Sequence, residues 1–395
     1  MTAIRTFREQ PLPRWHRAVL KVGSSLLAGE DGGLSTQNVL GLAQFIAASH
    51  AEGRQIVLVS SGAVSAGRML LAHRGEGHNT HAARQAMAAL GQTQTIALWQ
   101  RLFDRPLAQV LLTHDDMRDR RRYLNARTTL LELLQHTILP VVNENDTVAV
   151  DELTLGDNDN LAAIVAALVD ADLLLIATDI NGLYSANPRI DPEAEPIDEV
   201  IELTPQVMAM AGAAGSAHGT GGMRTKLEAA QKAAAAGIDT VLFNGRNADV
   251  ARLLSHGKVR GTRLRATQNK LHARKYWLRH MPAVPGAILV DAGAARALCA
   301  GGASLLPTGV TGAEGEFQRG DMVEIVTAKE HKCVARGITQ YGAAELNLIH
   351  GRHTSEIEDR LGYSYGDVVV HRDDLATVAA PSDPADTHAG APTHD

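Results

Sequence analysis

The feature that most constrains this chain is an alternation. Between residues 18 and 261, short aliphatic runs take turns with longer stretches of helical periodicity. The runs fall at 18–22, 55–59, 109–112, 138–142, 173–177 and 240–243, each rich in Val, Leu or Ile. They are apolar on both faces, as strands are when their sheet is covered on both sides. Helical patterns at 36–50, 81–103, 121–135, 161–169 and 223–236 separate them. Strand alternating with helix implies βαβ units, so an α/β fold with a mainly parallel sheet is predicted.

The texture then changes. Residues 255–281 carry eight Lys or Arg and no Asp or Glu, with Tyr276 and Trp277 embedded. Met281-Pro-Ala-Val-Pro-Gly286 follows, a turn-rich stop that reads as a domain boundary. Beyond it lie short strand-like runs at 287–290, 322–326, 333–337 and 367–370, a small β-rich module. The expected organisation is a loose leader at 1–17, an α/β domain at 18–261 and a basic linker at 262–284. A β-rich domain at 285–374 and a Pro- and Ala-rich disordered tail at 375–395 complete it.

Bulk properties narrow the function. A formal net charge of −6 disfavours a protein built to coat nucleic acid. No apolar run reaches the roughly 18 residues of a membrane span, and the N-terminus lacks the apolar core of a secretion signal. The two cysteines, Cys299 and Cys333, form no metal-ligand spacing. A soluble, cytoplasmic protein is expected.

Four polar clusters fall where strands should hand over to helices. They are Lys21-Val-Gly-Ser-Ser25, Ser60-Ser-Gly-Ala63, Asn143-Glu-Asn-Asp146 with Gly156-Asp-Asn-Asp-Asn160, and Gly219-Thr-Gly-Gly-Met-Arg-Thr-Lys226. Ligands of open parallel sheets bind beyond the carboxyl ends of the strands, so these clusters are candidates for one shared site. Plainer readings exist for each. Ser60–Ala63 alone reads as a tight turn, and Asp157–Asn160 as a helix cap. Lys21 closes a buried strand and needs an anionic partner. The loop ending at Lys226 has three glycines, a helix N-terminus and a cation, which together suit phosphate. It is neither a P-loop nor a dinucleotide fingerprint, because GxxxxGK[ST] is absent and Arg224 stands where the last glycine would fall. Two lysines for the β- and γ-phosphates of ATP, with an acidic residue for Mg²⁺, make the coherent alternative.

With Thr178-Asp179 added, these motifs resemble the amino-acid kinase superfamily, and within it the glutamate 5-kinase family. The β-rich module resembles a PUA domain in Ser304-Leu-Leu-Pro-x-Gly309, Phe317-x-Arg-Gly320, Leu361-Gly-Tyr-x-Tyr-Gly366 and Val370-His-Arg-Asp-Asp374. The resemblance spans 18–374. It implies an αβα sandwich and ATP-dependent phosphorylation of the γ-carboxylate of L-glutamate, the first step of proline biosynthesis. Lys21, Lys226 and Asp179 are then the catalytic set, with Asp179 suited to holding the two lysines. Gly23, Thr178, Asp179, Thr220, Gly221, Gly222, Met223, Arg224 and Thr225 join the lysines in binding ATP. Ser61, Asp146 and Asn158 match the glutamate site. Asp157 or Asp159 is left for a supporting or metal-linked role. The resemblance also implies inhibition by proline, a homo-oligomer, and handover of a labile acyl phosphate to glutamate-5-semialdehyde dehydrogenase. The segment 70–80 is the candidate regulatory contact, with a merely mobile loop as the plainer alternative.

Two rivals compete. Another kinase of the superfamily could act on N-acetylglutamate, aspartate or a nucleoside monophosphate, but a carboxylate at 146 suits a free ammonium better than an acetamide. An RNA-binding role could draw on the basic 255–281 segment. The negative net charge and the position of that segment at a domain junction favour a solvated hinge instead.

Overall fold

The aliphatic runs become strands of one sheet in the computed structural model, which describes residues 6–29, 33–71, 80–149, 158–188, 190–191, 193–211, 222–247, 249–266 and 286–378. The chain divides into two units, 1–273 and 274–395. The first unit begins with β1 (Glu9–Pro11), β2 (Arg17–Val22), α1 (Ser24–Leu27), α2 (Leu40–Ala51), β3 (Gln55–Ser60) and α3 (Ala63–Leu71). It continues with α4 (His81–Gln100), β4 (Leu107–Leu112), α5 (His114–Arg118), α6 (Arg120–Gln135), β5 (Leu139–Glu144), α7 (Asn158–Leu168) and β6 (Leu173–Thr178). Then come β7 (Glu199–Val200), α8 (Pro205–Met210), α9 (Met223–Ala235), β8 (Asp239–Asn244), α10 (Val250–Ser255) and β9 (Lys258–Leu264).

The strand order is β1-β9-β8-β6-β2-β3-β5-β4, with β7 also on β9. From β8 to β4 every pairing is parallel. Successive side chains of a strand point to opposite faces, so residue parity decides which helices each one meets. Val19, Val57, Val59, Val142, Leu174 and Ile176 pack with Leu161, Val165 and Leu227 of α7 and α9. Leu20, Ile56, Leu58, Val141 and Leu175 pack with Phe45, Ile46 and Trp99 on the other side. Both faces are covered, which is the αβα sandwich expected. Lys21 shares parity with Val19 and so lies on the side of α7 and α9.

β2 is the switch point. β3 pairs on one side of it and β6 on the other, so the turns after all three strands meet beyond their carboxyl ends. Beside them α3 and α4 cross at very close range. A Cβ on Gly67 would lie 1.8 Å from the carbonyl of Met87, and one on Gly91 1.8 Å from that of Ala63. Only glycine permits that approach, and it ties α4 to the residues just after Ser61.

The structure differs from the sequence reading at the edges. Within the stretch read as a loose leader, β1 pairs antiparallel with β9, and the buried Phe7 meets Tyr184 edge-on at 5.1 Å. The basic 255–281 segment contains β9, which runs through position 261 to Leu264. Its alternation of basic and apolar residues marks a strand with one wet face, unlike the two-sided runs sought. Its cations are paired: Arg263 with Asp239 at 2.6 Å and Lys258 with Glu9 at 2.7 Å. The stretches 1–5, 72–79, 267–285 and 379–395 lie outside the described residues, and with them most of the linker, the tail and the candidate regulatory segment.

The second unit comprises β10 (Gly286–Val290), α11 (Ala292–Ala300), β11 (Val310–Gly315), β12 (Met322–Thr327), β13 (Cys333–Ile338), α12 (Ala343–Ile349), α13 (Ile357–Leu361) and β14 (Leu375–Thr377). Its sheet order is β11-β10-β12-β13-β14, around Ile288, Val323, Ile325, Tyr341, Leu346 and Val370. The expected strand at 367–370 is absent. Val369 and Val370 bond to Leu305 in an isolated bridge, and the Val369 carbonyl accepts from the Gln340 amide, so buried apolar residues without a ladder mimicked a strand. The closing strand is β14, which begins inside the stretch read as disordered tail.

Candidate active site

Two consecutive residues at the start of α7 organise the site. Asp159 is fully buried. Its Oδ1 lies 2.6 Å from Nζ of Lys21, and its Oδ2 lies 3.0 Å from Nζ of Lys226. Thr225 donates its hydroxyl to the same Oδ2 at 3.1 Å. Both ammoniums are themselves buried, Lys21 at 4% exposure and Lys226 at 5%. The sequence produces this convergence in three steps. Strand parity turns Lys21 toward α7. On α9, Lys226 shares the buried stripe with Ala229, Ala230 and Ala233, so it too faces α7. Asp159 stands in the first turn of α7, where the helix dipole favours an anion.

Among the described residues the cluster brings two ammoniums to one carboxylate in a dry setting. Charges are costly to bury unless paired, so the cluster suits a further anion. The surroundings suit phosphate. Gly23 adjoins the cluster, where a Cβ would lie 3.8 Å from the Lys21 Nζ in ordinary contact, and Gly222 caps α9 without a side chain. Thr178 ends β6 beside this turn and Asp179 follows it, with the Thr178 hydroxyl on Asp179 at 3.2 Å and the Gly23 amide on the carbonyl of Ala177 at 3.3 Å.

Asp159 therefore takes the lysine-holding part that the sequence reading gave to Asp179. With both of its oxygens on ammoniums, Asp159 is also poorly placed to ligate a metal directly. Asp157, the other metal candidate, lies outside the described residues, as do Thr220 and Gly221. Among the described residues no three His, Cys, Asp or Glu side chains group where they could hold a metal ion. Met223 packs against the core on the α7 side. Arg224 points outward, its guanidinium on Glu228 at 3.0 Å.

Asn158, one residue earlier, builds the other half from amides. Its Nδ2 donates to the Ser61 hydroxyl at 2.8 Å, to Oδ1 of Asn143 at 2.9 Å and to the carbonyl of Ser60 at 3.4 Å. Asn143 passes the chain on, donating to Oε1 of Gln92 at 2.8 Å. Ser60, read as part of a tight turn, is fully buried and accepts from the indole of Trp99 at 2.8 Å. Ser61 and Asn158 thus touch as the motifs suggested. Asp146 lies in the turn after β5, in a cavity of about 240 Å³ lined also by Gln92, Thr93, Gln109, Glu144 and Asn145. Burial, and then the neighbouring Glu144, push the Asp146 carboxyl up to about 6, with Arg84 pulling weakly the other way.

Sequence reasoning left Asn143 without a role and missed Gln92. Both signals were present. An amide closing an apolar strand needs partners, and Gln92 interrupts the buried α4 stripe of Met87, Ala88, Gly91, Thr95 and Leu98.

A site of two buried lysines on one carboxylate, at the carboxyl end of a covered parallel sheet, defines a phosphoryl-transfer class. The model of the amino acid kinase family matches residues 16–244, and that of the PUA domain matches 286–361. A glutamate 5-kinase of Xylella fastidiosa (strain M12) is 64% identical over 372 residues, covering 93% of this chain and 97% of its own. One of Xanthomonas oryzae pv. oryzae is 66% identical over 359 residues, covering 90% and 99%. The chain belongs to the glutamate 5-kinase family of amino acid kinases, and it carries a PUA domain.

Proposed function

We propose that this enzyme transfers the γ-phosphoryl group of ATP to the γ-carboxylate of L-glutamate, giving L-glutamyl 5-phosphate and ADP, as the first step of proline biosynthesis. The observation that carries the reading is the bridging of Lys21 and Lys226 by Asp159, which presents two buried cations to a polyanion.

A γ-carboxyl with a reference pKa of about 4.3 is ionised at neutral pH, so its oxygen needs no general base. The obstacle is bringing one anion up to another. Lys21 and Lys226 neutralise the phosphate oxygens and stabilise charge on the group in flight, while backbone amides at Gly23 and Gly222 approach those oxygens closely. Thr178 and Asp179 hold the nucleotide beside them. Ser61 and Asn158 orient the glutamate carboxylates, and Asp146 takes the α-ammonium. Mg²⁺ comes with the phosphates of ATP, since hard cations keep phosphate oxygens and water as most of their ligands. No covalent intermediate is required; positioning and charge supply the acceleration.

Proline, sharing glutamate's ammonium and α-carboxylate, competes at the glutamate site of Ser61 and Asn158, with the segment 70–80 as the candidate regulatory contact. Initial rates at low glutamate should fall with proline and recover with glutamate. Purified protein with ATP and Mg²⁺ should release ADP with glutamate and not with N-acetylglutamate, whose acetamide offers Asp146 no cation. Equal turnover of both would end this reading.

A further inference from the structure

We infer that Gln92 is a positioning residue for the phosphoryl acceptor: by accepting from Asn143 it terminates a one-way hydrogen-bond relay that leaves Ser61 a donor toward the substrate carboxylate. The inference rests on the proposed role of Ser61 and Asn158 at the glutamate site.

The direction of the relay follows from one member that cannot be turned round. The backbone carbonyl of Ser60 only accepts, and it accepts from Asn158 at 3.4 Å, so the end of Asn158 facing Ser60, Ser61 and Asn143 is its nitrogen. Asn143 must then present Oδ1 to Asn158 and turn its own Nδ2 away. The group waiting there is Oε1 of Gln92, at 2.8 Å. At the opposite end, the Ser61 oxygen accepts from Asn158, which directs the hydroxyl proton elsewhere. A hydroxyl so oriented is a donor for an incoming carboxylate. Were the relay reversed, the carbonyls of Asn158 and Ser60 would face each other, and Ser61 would spend its proton on Asn158.

The fold keeps Gln92 at a cost. Its side chain is 8% exposed, on the stripe that packs α4 into the domain, and its buried Nε2 has no hydrogen-bond partner among the described residues. An unsatisfied buried donor costs about 1–3 kcal/mol, and native proteins keep few of them. Leucine or methionine would fill the same space without an orphaned N–H. What glutamine alone adds is Oε1, aimed at Asn143. The support behind it is rigid: Gly91, the preceding residue, is pressed against the backbone of Ala63, two residues after Ser61. Both ends of the relay are therefore held by one helix contact, as a site requires when its donors must not drift.

The test compares Gln92→Leu with Gln92→Glu in the full-length enzyme, with Gln92→Met as a second apolar variant where leucine perturbs α4. If Gln92 only fills space, the apolar variants match the wild type in every readout and the carboxylate is the harmful one. The relay predicts the reverse order. Gln92→Leu should raise the glutamate KM about tenfold, while the ATP KM and the melting temperature hardly move. Gln92→Glu keeps an acceptor at the same place and should recover most of that loss at pH 8. Wild-type glutamate KM in both folded apolar variants overturns the proposal. Ser61→Ala, measured in parallel, separates the failures. A raised glutamate KM there with an unchanged one in Gln92→Leu removes the relay alone; an unchanged KM in Ser61→Ala removes the glutamate-site reading beneath it.

Discussion

Asn158 and Asp159 are neighbours in one helical turn, yet they run the two halves of the site by different physics. Asp159 works with full charge: one carboxylate, two ammoniums, all buried. Asn158 works with neutral dipoles handed along four side chains. The division matches what each half must hold. A triphosphate brings several negative charges and repays the desolvation of two lysines. An amino acid brings one ammonium and two carboxylates, and it must be aimed rather than merely attracted. Charge gives strength with little angular selectivity, whereas hydrogen bonds are directional. Cleft between adjacent residues, the site can stabilise the phosphoryl group strongly without pulling the acceptor out of line.

The largest expected effect comes from breaking the charged half at its centre. Asp159→Asn leaves two ammoniums in a dry pocket, and removing one partner of a buried ionic cluster costs about 3–5 kcal/mol. Thermal melts should show that loss in the free protein and a disproportionate recovery with ATP, because phosphate oxygens can take the carboxylate's place. If Asp159 served only as a helix cap, ATP would stabilise variant and wild type equally. Turnover should fall at least as far as for loss of either lysine.

Removing one cation is the next step down. Lys226→Met leaves Asp159 paired with Lys21, so folding should survive. The ammonium acts on charge that develops during transfer, so kcat should fall on the order of 10²–10³, as on losing one preorganised donor. The glutamate KM should change little. Arginine should rescue poorly, since its planar fork cannot reproduce a point charge 3.0 Å from Asp159 in a closed cluster. Near-normal kcat in both variants would show Lys226 to be a bystander.

In the amide half the response should shift from kcat to KM. Asn158→Ala deprives Ser61, Asn143 and the Ser60 carbonyl of their shared donor. The glutamate KM should rise by roughly ten- to a hundredfold, the scale of one or two good hydrogen bonds, with the ATP KM nearly unchanged. Equal damage to both constants would erase the division between the halves.

How far the sequence revealed this site depends on the kind of contact. Strand-end position pointed to Lys21, and the glycine loop to Lys226, because each feature is local. Their meeting on Asp159 was not legible. The three residues come from β2, α7 and α9, and only the parity of β2 and the buried stripe of α9 decide that they converge. Asp179, also at a strand end, looked equally able to hold them. Gln92 was hidden for a related reason: one amide in an apolar helical stripe reads as noise until Asn143 is seen opposite. The sheets were clear where strands are long and covered on both faces, and unclear at β1 and β9, whose exposed positions leave a mixed pattern, and at β14, which is only three residues long.

The smallest effect tests whether the amide half is free of charge physics, and Asp146 is the exception. Burial and Glu144 raise its carboxyl to about 6, so the folded free enzyme holds a proton there that an unfolded chain releases near 4. Two consequences follow with opposite signs. For stability, a raised carboxyl favours the fold at low pH; its contribution is complete below about 4 and is lost as pH climbs toward 6. Asp146→Asn should therefore flatten that part of the stability profile. For binding, the ammonium of glutamate needs the ionised form, so the glutamate KM should climb as pH drops below about 6, approaching tenfold per unit, while the ATP KM stays level. In Asp146→Asn the glutamate KM should be high throughout and indifferent to pH over the same range. A wild-type glutamate KM that is flat from pH 5 to 8 would place the ammonium elsewhere, and with it the claim that one carboxylate in this half answers to substrate charge.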